Sequence, residues 1–264
     1  MESLTDALPP KISVLGIGVS RLDYDRAVRE IVSAAKQKKS FGMTALAVHG
    51  LMEGFLDPKL GAQLNQFHLV TPDGQPVRWA MNLLGGAKLK DRVYGPFLTE
   101  HVCKAAAENG LGVFLYGSHQ KVLDALRESL LREYPGIRIA GMQADRFREA
   151  TPEEDQKDIE TIRNSGAHIV LVGRGCPRQE KWVASHLGKI DAVMMAVGAA
   201  FDFISGNKAR APKFLQDIGC EWLFRLVHEP KRLWKRYLFL NPLYVFHVTL
   251  QLLKIRKYPL EKTG

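Results

Sequence analysis

The residues best suited to bind a charged ligand lie between Ala167 and Trp182, in the stretch AHIVLVGRGCPRQEKW. His168 to Gly173 is almost entirely apolar and predicts a buried strand, and after two glycines Pro177 opens a helical pattern. The unpaired N–H groups and the positive dipole end of a helix start attract anions, and Arg174 adds a full charge beside them. The stretch therefore predicts a site for a phosphorylated ligand, with Gln179 in the first helical turn as a further polar contact.

Other polar side chains stand where predicted strands begin or end, namely Thr44, His49, Asp73 and Arg92. Open parallel sheets bind their ligands at the carboxyl ends of the strands, so these positions are candidates for a site. Asp73, in Thr-Pro-Asp-Gly, has a carboxylate that can take a proton from an attacking hydroxyl group. Its local sequence also fits, and alone favours, a turn residue that caps the helix predicted from Gln75. Arg92 fits either a phosphate contact or an ion pair with a neighbouring carboxylate.

Several familiar cofactor signatures are incomplete or absent in the sequence. Glycine patterns that begin at Gly16 and Gly173 lack the third glycine of a dinucleotide-binding fingerprint, which argues against a nicotinamide cofactor. Asp23-Tyr-Asp25 resembles the paired aspartates that bind a metal in many transferases, but it begins a predicted helix, where Asp is favoured as a cap. The three cysteines show no metal-ligand spacing and fit free thiols in a reducing compartment. We therefore expect no cofactor and no bound metal.

The order of predicted elements indicates an α/β fold. The predicted strands are Lys11–Val19, Met43–Val48, His68–Thr71, Arg92–Tyr94, Gly112–Tyr116, Ile137–Met142, His168–Gly173 and Ala192–Val197. One helix is predicted directly after Asp23, and another begins at Pro177. The other predicted helices are Asp57–Gln66, Gln75–Leu84, Phe97–Glu108, Gln120–Glu133 and Pro152–Arg163. Because the strands are apolar without alternation and are separated by helices, they predict a Rossmann-like, mostly parallel sheet covered on both faces. We assign residues 1–205 to this domain and residues 206–264 to a helical C-terminal appendage.

The positive charge of the chain is concentrated in that appendage. The whole sequence carries a net +9, of which residues 206–264, with 12 Lys and Arg against 4 Asp and Glu, supply +8. Tyr237 to Leu253 has no charged residue, but its 17 residues include Asn241-Pro242, and it is short and polar for a membrane-spanning helix. A basic, aromatic-rich segment suits a membrane interface or a helical lid on the main domain, and the two are compatible. The first residues do not form a signal peptide, so we expect a protein of the cytoplasmic side.

Seven motifs, in order along the chain, resemble one known family. They are Thr71-Pro-Asp-Gly74, Arg92-Val-Tyr-Gly95, Gly173-Arg-Gly-Cys-Pro-Arg-Gln-Glu-Lys-Trp182, Gly198-Ala-Ala-Phe-Asp202, Arg210-Ala-Pro212, Gly219-Cys-Glu-Trp-Leu-Phe-Arg225 and Glu229-Pro-Lys-Arg232. Together they span nearly the whole chain and resemble the WecG/TagA/CpsF family, glycosyltransferase family 26. The first motif changes the expected role of Asp73 from a helix cap to a general base.

The resemblance implies an inverting, metal-independent glycosyltransferase of bacterial envelope or exopolysaccharide synthesis. Members of the family move a sugar from a UDP donor onto a polyprenyl-diphosphate-linked sugar at the cytoplasmic face of the inner membrane. The appendage is expected to complete the site and to hold the enzyme on that membrane. The motif positions expected to contact substrate are Thr44, Arg92, Gln179, Arg225, Arg232 and the pair Lys235-Arg236. One family pattern has Arg where Lys235 stands, which leaves open which of the pair contacts the diphosphate.

The resemblance leaves the substrates partly open. Where many relatives carry Asn near the end of the second strand, this chain reads Ala47-Val-His-Gly50, which is closer to the xanthan-type glucosyltransferase branch. The donor is therefore expected to be UDP-glucose, UDP-N-acetylmannosamine or its uronate, and the oligomeric state stays open. Clustered Lys and Arg with aromatic residues also fit a non-catalytic protein that binds membranes or nucleic acid. The resemblance favours the enzyme and implies no nucleic-acid partner.

Overall fold

The computed structural model describes residues 7–260, apart from the side chains of Asp217, Arg232, Lys235 and Arg236. The strands in this part of the chain are β1 (Lys11–Val14), β2 (Ile17–Ser20), β3 (Phe41–Leu46), β4 (Leu69–Pro72), β5 (Gly112–Gly117), β6 (Arg138–Gln143), β7 (Ile169–Gly173) and β8 (Val193–Ala196). The helices of the main domain are α1 (Tyr24–Lys36), α2 (Val48–Leu56), α3 (Pro58–Gln66), α4 (Gln75–Gly85), α5 (Gly95–Glu108), α6 (Gln120–Glu133), α7 (Pro152–Asn164), α8 (Arg178–His186) and α9 (Ala200–Ile204). The appendage contains α10 (Lys213–Asp217), α11 (Glu221–His228), α12 (Pro230–Lys235), a π-helical turn (Arg236–Leu240) and α13 (Asn241–Leu252).

The main sheet has six parallel strands in the order β4-β3-β8-β7-β5-β6. Alternate residues of one strand enter two separate cores: Val170 and Val172 of β7 pack on one face of the sheet, and Leu171 packs on the other. Both faces are covered, so the strands are apolar throughout rather than alternating. The predicted Rossmann-like α/β fold is confirmed.

Two of the predicted strands are wrong. Lys11 to Val19 is an antiparallel hairpin of β1 and β2, separate from the main sheet, rather than one strand. Its turn residues Leu15 and Gly16 have φ angles of 54° and 84°, and a two-residue turn with two positive φ angles suits the right-handed twist of a hairpin. Arg92 to Tyr94 forms no strand, because it leaves the edge of the sheet and runs directly into α5.

Side chains cap three of the described helices, namely α1, α3 and α7. Asp23 accepts a hydrogen bond at the start of α1, and Thr151 and Glu154 form a reciprocal capping box at the start of α7. The residue before α4 is Gly74, and the start of this helix has no side-chain cap. Asp73 is therefore not the cap of the helix that follows it, and its carboxylate is available for another role.

The appendage packs back onto the main domain. Tyr244 of α13 enters one of the two cores and donates a hydrogen bond from its hydroxyl group to the carbonyl oxygen of Pro76, at 2.9 Å. The side-chain amide of Gln251 bonds the N–H of Leu15 and the carbonyl oxygen of Ser13 in the hairpin, both at 2.9 Å. Between residues 7 and 260, no helix has the length and apolar character needed to cross a membrane. The last helices described thus form a layer that packs on the main domain.

Candidate active site

A cavity of about 280 Å³ lies at the carboxyl edge of the sheet, between the main domain and the appendage. The main domain lines it with the segments that follow β3, β4, β7 and β8, which is where open α/β sheets bind ligands. The appendage closes it with Gly219, Glu221, Trp222, Arg225, Tyr237 and Asn241. A ligand in this cavity would therefore touch residues from both parts of the chain.

Asp73 borders this cavity directly after β4. Its Oδ1 atom accepts a hydrogen bond from the N–H of Gly95, the first residue of α5, at 2.5 Å. Burial raises the pKa of Asp73 to about 6, although the Arg92 guanidinium and the Gly95 N–H favour its ionised form. A carboxylate that borders a cavity and has a pKa near the working pH suits a general base.

Arg92 is buried beside Asp73, and its charge is already paired. It donates to Oε2 of Glu221 at 2.7 Å and to Oε1 of Gln216 at 3.2 Å, and both partners belong to the appendage. A third contact reaches the carbonyl oxygen of Asp73 at 3.4 Å, and the guanidinium lies 4.3 Å from the centre of the Tyr94 ring. Arg92 thus lines the cavity, as expected, but it also joins the two parts of the chain.

Glu180 is a buried carboxylate at the start of α8. It accepts hydrogen bonds from the hydroxyl group of Thr44 at 3.1 Å and from Nε2 of Gln179 at 2.9 Å. Burial raises the pKa of Glu180, and the hydrogen bonds from the Gln179 amide, its own backbone N–H and the Thr44 hydroxyl oppose this rise. The sequence predicts a phosphate of a ligand at the positive end of α8, but a carboxylate of the protein, Glu180, lies there.

The bond to Glu180 also fixes the orientation of the Gln179 side chain. Because its nitrogen faces Glu180, its Oε1 atom is turned towards Gly198 and has no hydrogen-bond partner among the residues described. Gln179 and Gly198 both line the cavity. The buried oxygen is an acceptor that a donor group of a ligand can satisfy. Thr44, in contrast, is fully buried and touches the cavity only through Glu180.

His49 and Arg174 occupy different positions relative to the cavity. His49 lines it and lies 3.3 Å from Oε1 of Glu53, one turn further along α2. Arg174 does not line it: its guanidinium bonds Oδ1 of Asp145 at 3.0 Å, and Arg178 bonds the same carboxylate. Asp145 is buried, so it needs these cationic partners. The structure thus directs Arg174 away from the site to which the sequence reading assigned it.

The basic residues of the appendage are only partly described. Arg225 of α11 lines the cavity. The side chains of Arg232, Lys235 and Arg236, which were also expected at the site, lie outside the described residues. In the described part of the chain, no group of His, Cys, Asp and Glu is arranged to hold a metal ion.

The model of the Glycosyl transferase WecG/TagA/CpsF family matches residues 12–258, which is nearly the whole chain. The chain belongs to this family. As a WecG/TagA/CpsF glycosyltransferase, the protein acts on a sugar donor and an acceptor in polysaccharide synthesis.

Three residues that line the cavity of this glycosyltransferase were not predicted from its sequence. Tyr94 and Glu221 both lie inside quoted motifs, and Glu180 follows Gln179 directly. Glu221 had a further signal, because it is an acidic residue within a strongly basic appendage. Nothing in the local sequence, however, indicates that its partners lie well over a hundred residues earlier.

Proposed function

We propose that the protein transfers a sugar from a UDP donor to a polyprenyl-diphosphate-linked sugar, with inversion at the anomeric carbon and Asp73 as general base. The observation that carries this proposal is a carboxylate with a raised pKa at the edge of a cavity that a basic appendage closes. The reaction belongs to the synthesis of bacterial envelope polysaccharide or exopolysaccharide. The donor is UDP-glucose, UDP-N-acetylmannosamine or its uronate.

The reaction is a single in-line displacement. The acceptor hydroxyl oxygen forms a bond to the anomeric carbon, the bond from that carbon to the diphosphate oxygen breaks, and the electron pair leaves with UDP. Asp73 takes the proton of the acceptor hydroxyl group as the new bond forms, which is worth roughly a hundredfold to ten-thousandfold in rate for a well-placed base. One displacement inverts the configuration.

Arg225 is the described cation best placed to stabilise the departing UDP. It lines the cavity, and it comes from the appendage that carries the excess positive charge. Removing one such contact to a developing negative charge commonly lowers the rate about a hundredfold to a thousandfold. In this proposal no metal ion takes part, so an excess of a chelator is expected to leave the rate unchanged.

Gln179 has a different role from that of a phosphate ligand. Its amide nitrogen donates to Glu180, whereas its amide oxygen has no partner among the described residues, and phosphate oxygens are acceptors that cannot donate to this oxygen. A hydroxyl group of the donor or acceptor sugar can make this bond. We therefore assign Gln179 to sugar recognition.

Exposed apolar side chains on the appendage support attachment to the cytoplasmic face of the inner membrane. They are Phe214, Ile218, Trp222, Leu223, Val227, Trp234, Leu238, Phe239, Val245 and Phe246. A large exposed apolar surface beside clustered positive charge suits a membrane interface with anionic lipids. Because Trp222 belongs to both this surface and the cavity lining, a lipid-linked acceptor would find the cavity near the membrane surface.

The test is UDP release from each of the three donors, with a synthetic lipid-diphosphate sugar as acceptor and with the Asp73→Asn variant. The substitution should lower kcat by about a hundredfold or more, because Asn cannot accept the proton. Asp191→Asn, at an exposed position, is the matched control and should retain wild-type turnover. Near-normal turnover in Asp73→Asn removes Asp73 as the base. Absence of UDP release with every donor favours the non-catalytic binding protein.

A further inference from the structure

Glu221 of the appendage is bound by two residues of the main domain. Its Oε2 atom lies 2.7 Å from Nη2 of Arg92, and its Oε1 atom accepts a hydrogen bond from the Tyr94 hydroxyl group at 3.0 Å. Only 8% of Glu221 is exposed, and both partners are buried. Both oxygens of the carboxylate are thus used in a largely dehydrated contact across the cavity wall.

The same contact reaches the proposed base. Arg92 also donates to the carbonyl oxygen of Asp73, and the carboxylate of Asp73 bonds the N–H of Gly95, directly after Tyr94. Arg92 therefore bonds the carboxylate of Glu221 and the backbone of Asp73, and its charge acts on the carboxylates of both residues. If Glu221 lost its charge, Asp73 would be the main remaining carboxylate that acts on the Arg92 guanidinium.

We propose that Glu221 is a positioning residue for sugar transfer, which keeps the Arg92 charge from pairing fully with Asp73 and fixes α11 over the cavity. The inference rests on the proposed role of Asp73 as base. Arg92, in consequence, is an internal counterion of the site and not a ligand of the substrate diphosphate, because its charge is already matched by the protein.

The electrostatic effect on Asp73 has a definite sign. Glu221 raises the pKa of Asp73, whereas Arg92 and Arg225 lower it. Loss of the Glu221 charge removes an effect that raises this pKa and leaves the effect of Arg92 unopposed, so the pKa of Asp73 should fall. The other titratable or charged groups around this centre are Tyr24 of α1, Asp91 and Tyr94 before α5, and Tyr237 near Arg225.

A weaker base results from that fall. A general base is most effective when its pKa lies near the working pH, so a lower pKa reduces the driving force for taking the proton of the acceptor hydroxyl group. Substrate binding should change less than the rate, because Glu221 makes its bonds to the protein. The expected pattern is a lower kcat with a nearly constant KM for the donor.

The experiment compares Glu221→Gln with the wild-type protein by two readouts. The first is the titration of Asp73 in the substrate-free protein, followed by carboxyl carbon NMR with labelled aspartate. The second is the pH dependence of kcat/KM. Gln keeps the size of Glu and can still bond Tyr94, so we expect a folded protein in which both midpoints move to lower pH by about half a unit or more. The kcat value at neutral pH should fall about twofold to threefold, because half a unit of base strength is worth at most about threefold in rate.

Two further variants separate charge from shape. Glu221→Asp retains the charge with a shorter side chain, so its midpoint should stay near that of the wild type even if kcat falls. Glu229→Gln removes one negative charge from the appendage at a residue that pairs with Lys208 at 3.0 Å, and it should leave the Asp73 midpoint in place. A loss of activity in Glu221→Gln with unchanged midpoints would mean that Glu221 only holds the structure together, and would overturn the proposal.

The NMR titration keeps this inference distinct from the proposed function. If Asp73→Asn remains active while Glu221→Gln still lowers the pKa of Asp73, the general base is misassigned but the electrostatic coupling holds. If Asp73→Asn is inactive and the Asp73 pKa does not respond to Glu221→Gln, the base stands and the positioning role of Glu221 is refuted.

Discussion

The hydroxyl group of Thr44 lies 3.1 Å from Oε1 of Glu180, in a fully buried contact between β3 and α8. The family resemblance places Thr44 in the substrate pocket, whereas this contact makes it a donor to a buried carboxylate. Glu180 in turn orients Gln179, which does line the cavity. Thr44 therefore acts on the site indirectly, by holding the carboxylate that orients Gln179.

Thr44→Val should destabilise the fold, because the isosteric change removes a donor from a buried carboxylate. The expected loss in the free energy of unfolding is about 1–3 kcal/mol, measured by urea unfolding at neutral pH. Thr44→Ser keeps the hydroxyl group and should lose less. A variant of either kind with wild-type stability and a strongly raised donor KM would instead place Thr44 in contact with the substrate.

Asp73→Asn should make the protein more stable at neutral pH, although we expect it to lower kcat by about a hundredfold or more. The folded-state pKa of about 6 lies above the ordinary value of 3.8, so the folded protein favours the protonated carboxyl group. The stability that this group contributes is present below pH 3.8 and is lost as the pH rises through about 6. Because Asp73 borders a cavity that water enters, we expect a gain on the order of 1–2 kcal/mol at pH 7.5.

The gain should largely disappear near pH 3, where Asp73 is mostly protonated in both states and resembles Asn. Urea unfolding of the two proteins at the two pH values measures the difference. A stability difference between the two proteins that stays constant with pH would contradict the raised pKa. Asn does not titrate, so any change with pH must come from Asp73.

Gly198→Ala should impair the use of the donor sugar by displacing Gln179. A Cβ atom at this position would lie 3.0 Å from Oε1 of Gln179, and the φ angle of 48° adds backbone strain. Gly188→Ala is a matched control, because Gly188 has a φ angle of 78° and nothing within 4 Å of the added atom. Both variants should lose about 1 kcal/mol of stability, but only Gly198→Ala should raise the donor KM, by roughly tenfold.

Equal KM values in the two glycine variants would show that Gln179 does not contact the donor. The measurement is steady-state UDP release at several donor concentrations, at a temperature where both proteins are folded. Urea unfolding of each variant supplies the stability term separately.

Leu238→Ser combined with Phe239→Ser should weaken binding to vesicles that contain anionic lipid. The two side chains are 63% and 67% exposed on the appendage, and a membrane interface would bury them. We expect roughly tenfold to a hundredfold weaker binding in a vesicle co-sedimentation assay. Leu131→Ser combined with Phe147→Ser removes the same two residue types from the exposed surface of the main domain and should bind as the wild type does. Identical binding by both double variants would exclude this surface as the membrane contact.

The sheet was predictable from sequence, because parallel strands buried on both faces leave a continuous apolar signal, as His168 to Gly173 illustrates. The hairpin was missed because Leu15 adopts a positive φ angle in its turn, and a leucine in the sequence does not predict such an angle. Arg174 was misplaced for another reason. Its partner Asp145 follows a different strand, and only the fold reveals that this buried carboxylate needs a cation.

The candidate site shows the same limit. Asp73 and Gln179 could be identified because strand ends and helix starts position ligands in an α/β fold. The pairing of Glu221 with Arg92 and Tyr94 could not, because it depends on how the appendage docks. Short-period sequence patterns predict local secondary structure. A contact between elements far apart in the chain depends on how their two surfaces fit, which such patterns do not describe.

The cavity wall contributed by Glu221, Trp222 and Arg225 also has a consequence for synthesis of the protein. These residues leave the ribosome after the whole parallel sheet, so the main domain can fold while its pocket is still open on one side. A nascent chain that has reached only Ile204 therefore holds the proposed base without Arg225. In the proposed mechanism, the complete cavity forms only after the final helices have been translated and docked.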